Sequence, residues 1–116
     1  MKTNQLVITL SFVFYLLSPL NGHATGGDKV KEKFKVWGNC GMCNEIITTT
    51  AKSVDGVLSA KWSPENKIMV VKFDSEKTTL DDIQKKIASV GYDTEKYKSK
   101  DEVYDKLHYC CQYDRN

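Results

Sequence analysis

Polar and apolar residues alternate between Val30 and Val36 of this sequence. Phe34 and Val36 are separated by a lysine, and the positions just before them are charged. This period of two is typical of a strand with one buried face and one solvated face. The strand is predicted to end at Gly38 and Asn39, which provide a flexible loop and a helix-capping side chain.

Two later segments, Cys43–Val54 and Leu80–Val90, have apolar residues at steps of three and four positions. This spacing predicts two amphipathic helices, each with one buried stripe. The second helix is expected to begin at Thr78 or Thr79, because a threonine side chain can accept a hydrogen bond from the first turn. Gly91 is expected to end it.

Three further segments have the composition of strands. Val57–Trp62 and Ile68–Phe73 are rich in apolar residues and are joined by turn-forming residues 63–67, which predicts a hairpin. Tyr92–Tyr97 is predicted to be a short final strand. The resulting order, βαββαβ, predicts an α+β, ferredoxin-like sandwich over residues 29–98. Such a fold has a four-stranded antiparallel sheet with both helices on one face.

The N-terminal residues 1–24 have the three-part pattern of a secretory signal peptide. Lys2 is followed by an apolar run from Leu6 to Leu20, and the small residues Gly22 and Ala24 follow that run. An uncleaved membrane anchor is the alternative, but a spanning helix needs about 20 apolar residues. We therefore expect export, to the periplasm or out of the cell.

The formal net charge of the chain is only +2, with 17 Lys and Arg against 15 Asp and Glu. Bulk charge therefore gives no reason to expect nucleic-acid binding. Four cysteines follow the leader, and in an exported protein they raise the alternative of a disulfide framework. A bridge between Cys40 and Cys43 would constrain the unfolded chain very little, because its ring is small. The spacing favours chemistry at the sulfurs.

Cys40 and Cys43 form a C-x-x-C motif at the predicted junction of the first strand and the first helix. Free N–H groups and the positive end of the helix dipole lower thiol pKa values at such a place. Thiolates bind metal ions, and two soft sulfurs favour Cu(I) or Hg(II). Zn(II) is less favoured because it normally takes four ligands.

With this loop, residues 30–98 resemble the heavy-metal-associated domain. That family includes copper chaperones, N-terminal domains of heavy-metal P-type ATPases and periplasmic mercury-binding proteins. The resemblance implies that Cys40 and Cys43 hold the ion, without catalysis. It also implies transfer to a membrane transporter or P-type ATPase by thiolate exchange. We expect a monomer when metal-free, and a metal-bridged dimer is an alternative for the loaded form.

The loop departs from the family pattern at two positions. Gly38 stands where the family usually has a buried methionine, so the loop is expected to lose packing there. Met42 lies between the cysteines instead. It is expected either to fill the same hydrophobic gap or to act as a weak third thioether ligand. In the family, a residue in the loop before the last strand leans over the ion, and Tyr92 has that position in this sequence. The alternative role for Tyr92 is simple packing on the core.

The C-terminal tail, residues 99–116, is predicted to lie outside the domain. Ser99 and the acidic residues after it predict a short helix through Leu107. Cys110-Cys111 then follows and could add sulfur to the metal site, with His108 as a helper. The alternatives are a disulfide to another chain, a vicinal disulfide, or surface thiols.

A small thiol–disulfide oxidoreductase is the main competing function, because such enzymes also use C-x-x-C. Against it, the exported part contains a single proline, Pro64, in a predicted hairpin loop. Thioredoxin-like enzymes need a cis-proline facing the motif, and an additional strand and helix. A metal-buffering protein without a dedicated partner is a third interpretation. The sequence does not identify the physiological ion.

Overall fold

The computed structural model describes residues 28–115, so the predicted signal peptide lies outside the described residues. Within residues 28–115, no helix is both long and apolar enough to cross a membrane. The elements, in chain order, are β1 (Lys29–Lys35), α1 (Gly41–Lys52), β2 (Val57–Trp62), β3 (Ile68–Asp74), α2 (Leu80–Ser89), α3 (Asp101–Tyr104) and a 3₁₀ turn (Tyr109–Cys111). The first five elements confirm the predicted order βαββα.

The strands form an antiparallel sheet in the order β1-β3-β2. Phe34 of β1 and Trp62 of β2 both lie opposite Met69 of the central strand. All three side chains are buried, which is the outcome of the alternating pattern in each strand. Helix α1 packs on β2 and against α2. The α+β fold with two main helices is therefore confirmed.

The predicted fourth strand, Tyr92–Tyr97, is wrong. The described residues form three strands, and the segment makes only an isolated antiparallel bridge between Val36 and Thr94. The chain turns immediately afterwards, because the N–H and the hydroxyl of Thr94 both donate to the carbonyl of Tyr97. The segment thus lies beside β1, where a fourth strand would be, but the turn prevents a regular ladder.

Helix α2 begins as predicted, at the second of the two candidate threonines. The Thr79 side chain accepts a hydrogen bond from the backbone N–H of Asp82 at 3.1 Å. Asp81 and Asp82 in the first turn complement the positive end of the helix. Gly91 follows the helix with φ +117°, a conformation that glycine adopts without steric cost.

The tail helix is shorter than predicted, and Ser99 does not cap it. Helix α3 covers only Asp101–Tyr104, and Lys100 precedes it without a side-chain capping bond. The N–H of Ser99 instead donates to the carboxylate of Asp93 at 2.8 Å. Ser99 therefore joins the tail to the segment after α2.

The tail, which was predicted to lie outside the domain, packs into its hydrophobic core. Cys111 and Tyr113 are 1% and 2% exposed and belong to the same buried cluster as Phe34. The Tyr113 ring stacks on Tyr92, with centroids 5.9 Å apart, and meets Tyr104 edge-on at 5.0 Å. One core therefore includes residues of the domain and of the tail.

Hydrogen bonds and close packing fix this arrangement. The Tyr113 hydroxyl donates to the carbonyl of Gly91 at 2.8 Å and accepts from the N–H of Asp93 at 2.7 Å. The side chain of Leu107 lies over Gly91, 2.7 Å from where a Cβ would stand. The tail therefore covers the loop after α2 at contact distance.

Candidate metal centre

The two cysteines of the C-x-x-C motif lie at the junction of β1 and α1. Cys40 is the residue before the first helical turn, with extended backbone (φ −131°, ψ −176°), and Cys43 lies within that turn. Their sulfurs are 3.6 Å apart. Cys43 is 0% exposed, whereas Cys40 is partly exposed. The motif therefore presents one accessible sulfur and one buried sulfur.

The start of α1 acts on the Cys40 thiol electrostatically. The backbone N–H of Cys43 is the largest influence, and it lowers the pKa of Cys40 to about 7. The Cys40 sulfur does not reach full capping geometry, so this is the effect of a nearby amide dipole. Burial works in the opposite direction, and the thiols of Cys43 and Cys110 add to the lowering. Cys40 is therefore largely thiolate just above neutral pH.

The tail brings its two cysteines to the same place. The Cys110 sulfur is 3.9 Å from the Cys40 sulfur and 4.0 Å from the Cys111 sulfur. The sulfurs of Cys40, Cys110 and Cys111 all lie within 4.8 Å of one another. All four cysteines are unpaired thiols in this structure. One alternative for the tail cysteines was that both are surface thiols. It is wrong for Cys111, which is buried.

The tail thiols differ from Cys40 in their acidity. Burial, followed by the contact with the Cys43 thiol, raises the pKa of Cys111 to about 12. Burial also raises the pKa of Cys110 above its usual value. Both stay protonated at neutral pH in the metal-free protein, and a metal ion that bound them would displace their protons.

Tyr92 lies beneath the thiols. Its ring is fully buried, and its hydroxyl has no hydrogen-bond partner among residues 28–115. The hydroxyl lies against the thiols of Cys43 and Cys111 without hydrogen-bond geometry, and burial raises its pKa beyond the usual range, so it is a neutral phenol. Tyr92 therefore packs in the core, and its hydroxyl faces two of the four thiols; a role over a bound ion stays a prediction.

The comparisons with known proteins agree with this geometry. The sequence model of the heavy-metal-associated domain matches residues 39–93. The solved structure of the CopZ metallochaperone is 30% identical with a TM-score of 0.54, and the match covers 56% of this chain and 98% of that chain. The chain belongs to the heavy-metal-associated domain family.

Two other solved structures extend the comparison. A copper binding domain from HMA7, a P-type ATPase, is 26% identical with a TM-score of 0.55, covering 56% of this chain and 89% of that chain. Oxidized MerP from Ralstonia metallidurans CH34 is 26% identical with a TM-score of 0.55, covering 58% and 94%. No curated protein gives a significant match. The residues of the family match end before the tail cysteines.

The glycine that replaces the family's methionine is not a gap. A Cβ on Gly38 would lie 3.1 Å from both Ile47 and the Trp62 ring, so these side chains already fill the space. The Trp62 indole N–H donates to the carbonyl of Val36 at 2.9 Å, which fixes the ring there. Met42 is 46% exposed. The expectation that Met42 fills a gap at Gly38 is therefore wrong.

Lys67, in the β2–β3 hairpin, supports the loop that leads to Cys40. Its ammonium group donates to the carbonyl of Gly38 at 2.6 Å, and its own carbonyl accepts from the N–H of Val36 at 2.9 Å. Lys67 has a positive φ of 66°, which is uncommon for a residue with a side chain. The turn composition indicated a hairpin, but no pattern in it indicated this contact.

No sequence pattern indicated the ion pair that holds the tail. Arg115 donates to both carboxylate oxygens of Asp93, at 3.0 and 2.9 Å. At the exposed edge of the site, the Nδ1 atom of His108 lies 3.4 Å from the Cys110 sulfur. His108 was considered as a helper. Within residues 28–115 it forms a hydrogen bond with the Cys110 thiol and with no other cysteine sulfur.

Proposed function

We propose that this protein binds a soft metal ion, Cu(I) or Hg(II), through the thiolates of Cys40 and Cys43. The observation that carries the proposal is the pairing of their sulfurs 3.6 Å apart at the start of a helix that favours the thiolate of Cys40. Zn(II) is a less suitable ion for a two-cysteine motif, because it prefers four ligands. Membership of the heavy-metal-associated domain family supports a metal-binding role over catalysis.

The bound ion is then passed to a similar cysteine pair on a membrane transporter or P-type ATPase. Cys40 is partly exposed and Cys43 is buried, so an incoming thiolate approaches from the Cys40 side. A bond forms between the ion and the partner's sulfur while the bond to Cys40 breaks, and Cys43 releases the ion last. The similarity to a copper binding domain of a P-type ATPase supports a partner of this kind.

We further propose that the protein acts outside the cytoplasm, as a monomer when metal-free. The support for export is the leader pattern of residues 1–24, with its short apolar run. The intact mass of the protein recovered from the periplasm or the medium tests this directly. A mass consistent with cleavage after Ala24 is expected, and retention of the leader in a membrane fraction would contradict it.

A competition titration tests the metal-binding function. The reduced protein is titrated anaerobically with Cu(I) against a Cu(I) chelator, and separately with Hg(II), and the same is done with Cys40→Ser. We expect tight one-to-one binding that weakens greatly in the variant, while Tyr109→Phe, an exposed substitution, leaves it unchanged. Failure to bind either ion, together with rapid exchange with a disulfide substrate, would favour the oxidoreductase alternative.

A transfer assay tests the partner. The metal-loaded protein is mixed with the metal-binding domain of a copper P-type ATPase, the two are separated, and the metal in each is measured. Movement of the ion to the domain within minutes is the expected result. If this protein keeps the ion although the ATPase domain binds it with the same affinity, a buffering role is favoured instead.

A further inference from the structure

The sulfur cluster contains two thiols more than the C-x-x-C motif provides. Cys110 and Cys111 lie beyond the residues that match the family, yet their sulfurs adjoin that of Cys40. The Cys110 backbone carbonyl also accepts a hydrogen bond from the Cys40 thiol at 3.5 Å. The tail cysteines therefore contact the C-x-x-C motif through Cys110 and Cys40.

The distances between the sulfurs match the edges of a metal site with more than two ligands. For a metal–sulfur bond of about 2.3 Å, sulfurs are about 3.8 Å apart in a tetrahedral site, about 4.0 Å in a trigonal site and about 4.6 Å in a linear one. The observed distances are 3.6, 3.9 and 4.0 Å along the path Cys43, Cys40, Cys110, Cys111. Three of these sulfurs, those of Cys40, Cys110 and Cys111, lie close enough together for one ion, and that of Cys43 adjoins Cys40.

The tail holds its cysteines in place before any ion binds. Tyr113, two residues after Cys111, is buried and hydrogen-bonded to the backbone of both Gly91 and Asp93. Its own carbonyl accepts a hydrogen bond from the hydroxyl of Tyr104. Leu107, three residues before the pair, packs on Gly91. Because the chain is held on both sides of the pair, binding an ion there requires little ordering.

The hydroxyl of Tyr92 is an independent sign of a ligand at this place. A fully buried hydroxyl without a hydrogen-bond partner is unfavourable, and such groups are rare in folded proteins. This hydroxyl lies against the sulfurs of Cys43 and Cys111. Once those thiols lose their protons to bind an ion, their sulfurs become strong acceptors and the hydroxyl gains a partner.

We propose that the tail is a sulfur clamp, in which Cys110 and Cys111 join Cys40 and Cys43 to hold one soft metal ion by three or four thiolates. Each tail thiol releases its proton to solvent as its bond to the ion forms. The proposal rests on the proposed function for the two motif ligands. It predicts slower release than from a two-thiolate site, because the clamp must lose its bonds before the ion leaves.

Metal-protected alkylation of the wild-type protein tests the clamp without any substitution. The reduced protein is loaded with one equivalent of Cu(I) or Hg(II), treated with iodoacetamide, digested and mapped by mass spectrometry against the metal-free protein. We expect Cys110 to be protected together with Cys40, because these are the two cysteines that are partly exposed, and so open to alkylation, in the metal-free protein. Protection of Cys40 alone would overturn the clamp and leave the proposed function standing. Protection of no cysteine would overturn both.

A matched pair of variants measures the contribution of the clamp. Cys110→Ala/Cys111→Ala removes the tail sulfurs and keeps a small apolar side chain at the buried position, and Tyr109→Phe is the neighbouring control. Loss of a residue that hydrogen-bonds a metal ligand typically weakens metal binding about 10–100-fold. Loss of the tail ligands themselves should weaken binding at least that much. X-ray absorption should count three or four sulfurs around the ion in the wild type and two in the variant. Two sulfurs in both would refute the clamp.

Discussion

Arg115 and Asp93 form a two-point ion pair that fastens the C-terminal tail to the segment after α2. The Nε atom of Arg115 lies 3.0 Å from one carboxylate oxygen of Asp93, and its Nη2 atom lies 2.9 Å from the other. Both side chains are mostly buried, at 20% and 7% exposed. Asp93 directly follows Tyr92, so the pair connects the tail to the residue beneath the thiols.

Arg115→Ala is expected to destabilise the protein by about 1–3 kcal/mol, the usual effect of losing hydrogen bonds to a buried charged group. Arg115→Lys should fall between the wild type and the alanine variant, because an ammonium group cannot reproduce the two-point contact. Urea unfolding at neutral pH measures the difference. An unchanged midpoint for Arg115→Ala would mean that this ion pair does not contribute to the stability of the fold.

The same pair gives a pH dependence. Burial acts to raise the pKa of Asp93, but the hydrogen bonds from Arg115 and from the Ser99 amide outweigh it and hold the value below its usual range. A carboxyl group with a lowered folded pKa stabilises the protein above its unfolded pKa of about 3.9. That contribution is lost as the pH falls through the folded value.

The difference in stability between the wild type and Arg115→Ala should therefore be full at pH 7 and smaller near pH 2, where the hydrogen bond from Arg115 to the Ser99 carbonyl remains. Urea unfolding at the two pH values measures it. Lys96→Ala is the matched control, because it breaks an exposed ion pair with Asp81 and should change stability little at neutral pH. A difference that is the same at both pH values would contradict this account.

Tyr113→Phe is expected to cost about 1–3 kcal/mol of stability. The substitution leaves the buried carbonyl of Gly91 and the N–H of Asp93 without the hydroxyl that bonds both. Tyr109→Phe is the control, because Tyr109 is 82% exposed and surface changes usually fall within about 0.5 kcal/mol. Equal unfolding midpoints for the two variants would show that the Tyr113 hydroxyl does not stabilise the tail.

Alkylation of the reduced, metal-free protein should depend on pH differently at each cysteine. Because the pKa of Cys40 is lowered to about 7, its thiolate fraction and its rate of alkylation should rise with a midpoint near that pH. Cys111, whose pKa burial raises to about 12, should react slowly throughout. Iodoacetamide labelling with peptide mapping from pH 5 to 9 measures both. A Cys40 midpoint near the ordinary thiol value would contradict the role of the helix start.

Gly38→Met, which restores the usual family residue, should destabilise this protein by about 1–3 kcal/mol. The new side chain would overlap Trp62 and Ile47, and overpacking of a filled core costs about that much. Gly41→Ala is the matched control in the same loop, because a Cβ there meets no atom within 4 Å. Thermal unfolding of the two variants tests this, and a Gly38→Met protein as stable as the control would show that Trp62 moves aside readily.

Local sequence patterns determined the elements that depend on local physics. The period of two predicted β1, the apolar composition around a turn predicted β2 and β3, and the spacing of three and four predicted α1 and α2. The position of Cys40 and Cys43 at the start of α1 followed from those boundaries. The pKa of Cys40 is lowered by the amide of a residue three positions away, so the C-x-x-C motif could be interpreted before the fold was known.

Tertiary structure alone decided the fourth strand, the loop packing and the tail. Trp62 occupies the space at Gly38, and the turn at Thr94 ends the pairing beside β1. The contact between Cys40 and Cys110 joins residues 70 positions apart. Periodicity describes only neighbours along the chain, whereas this contact depends on the burial of Tyr113 and its bonds to Gly91 and Asp93. The sequence thus specified two sulfurs at a helix start, and long-range packing placed two more beside them.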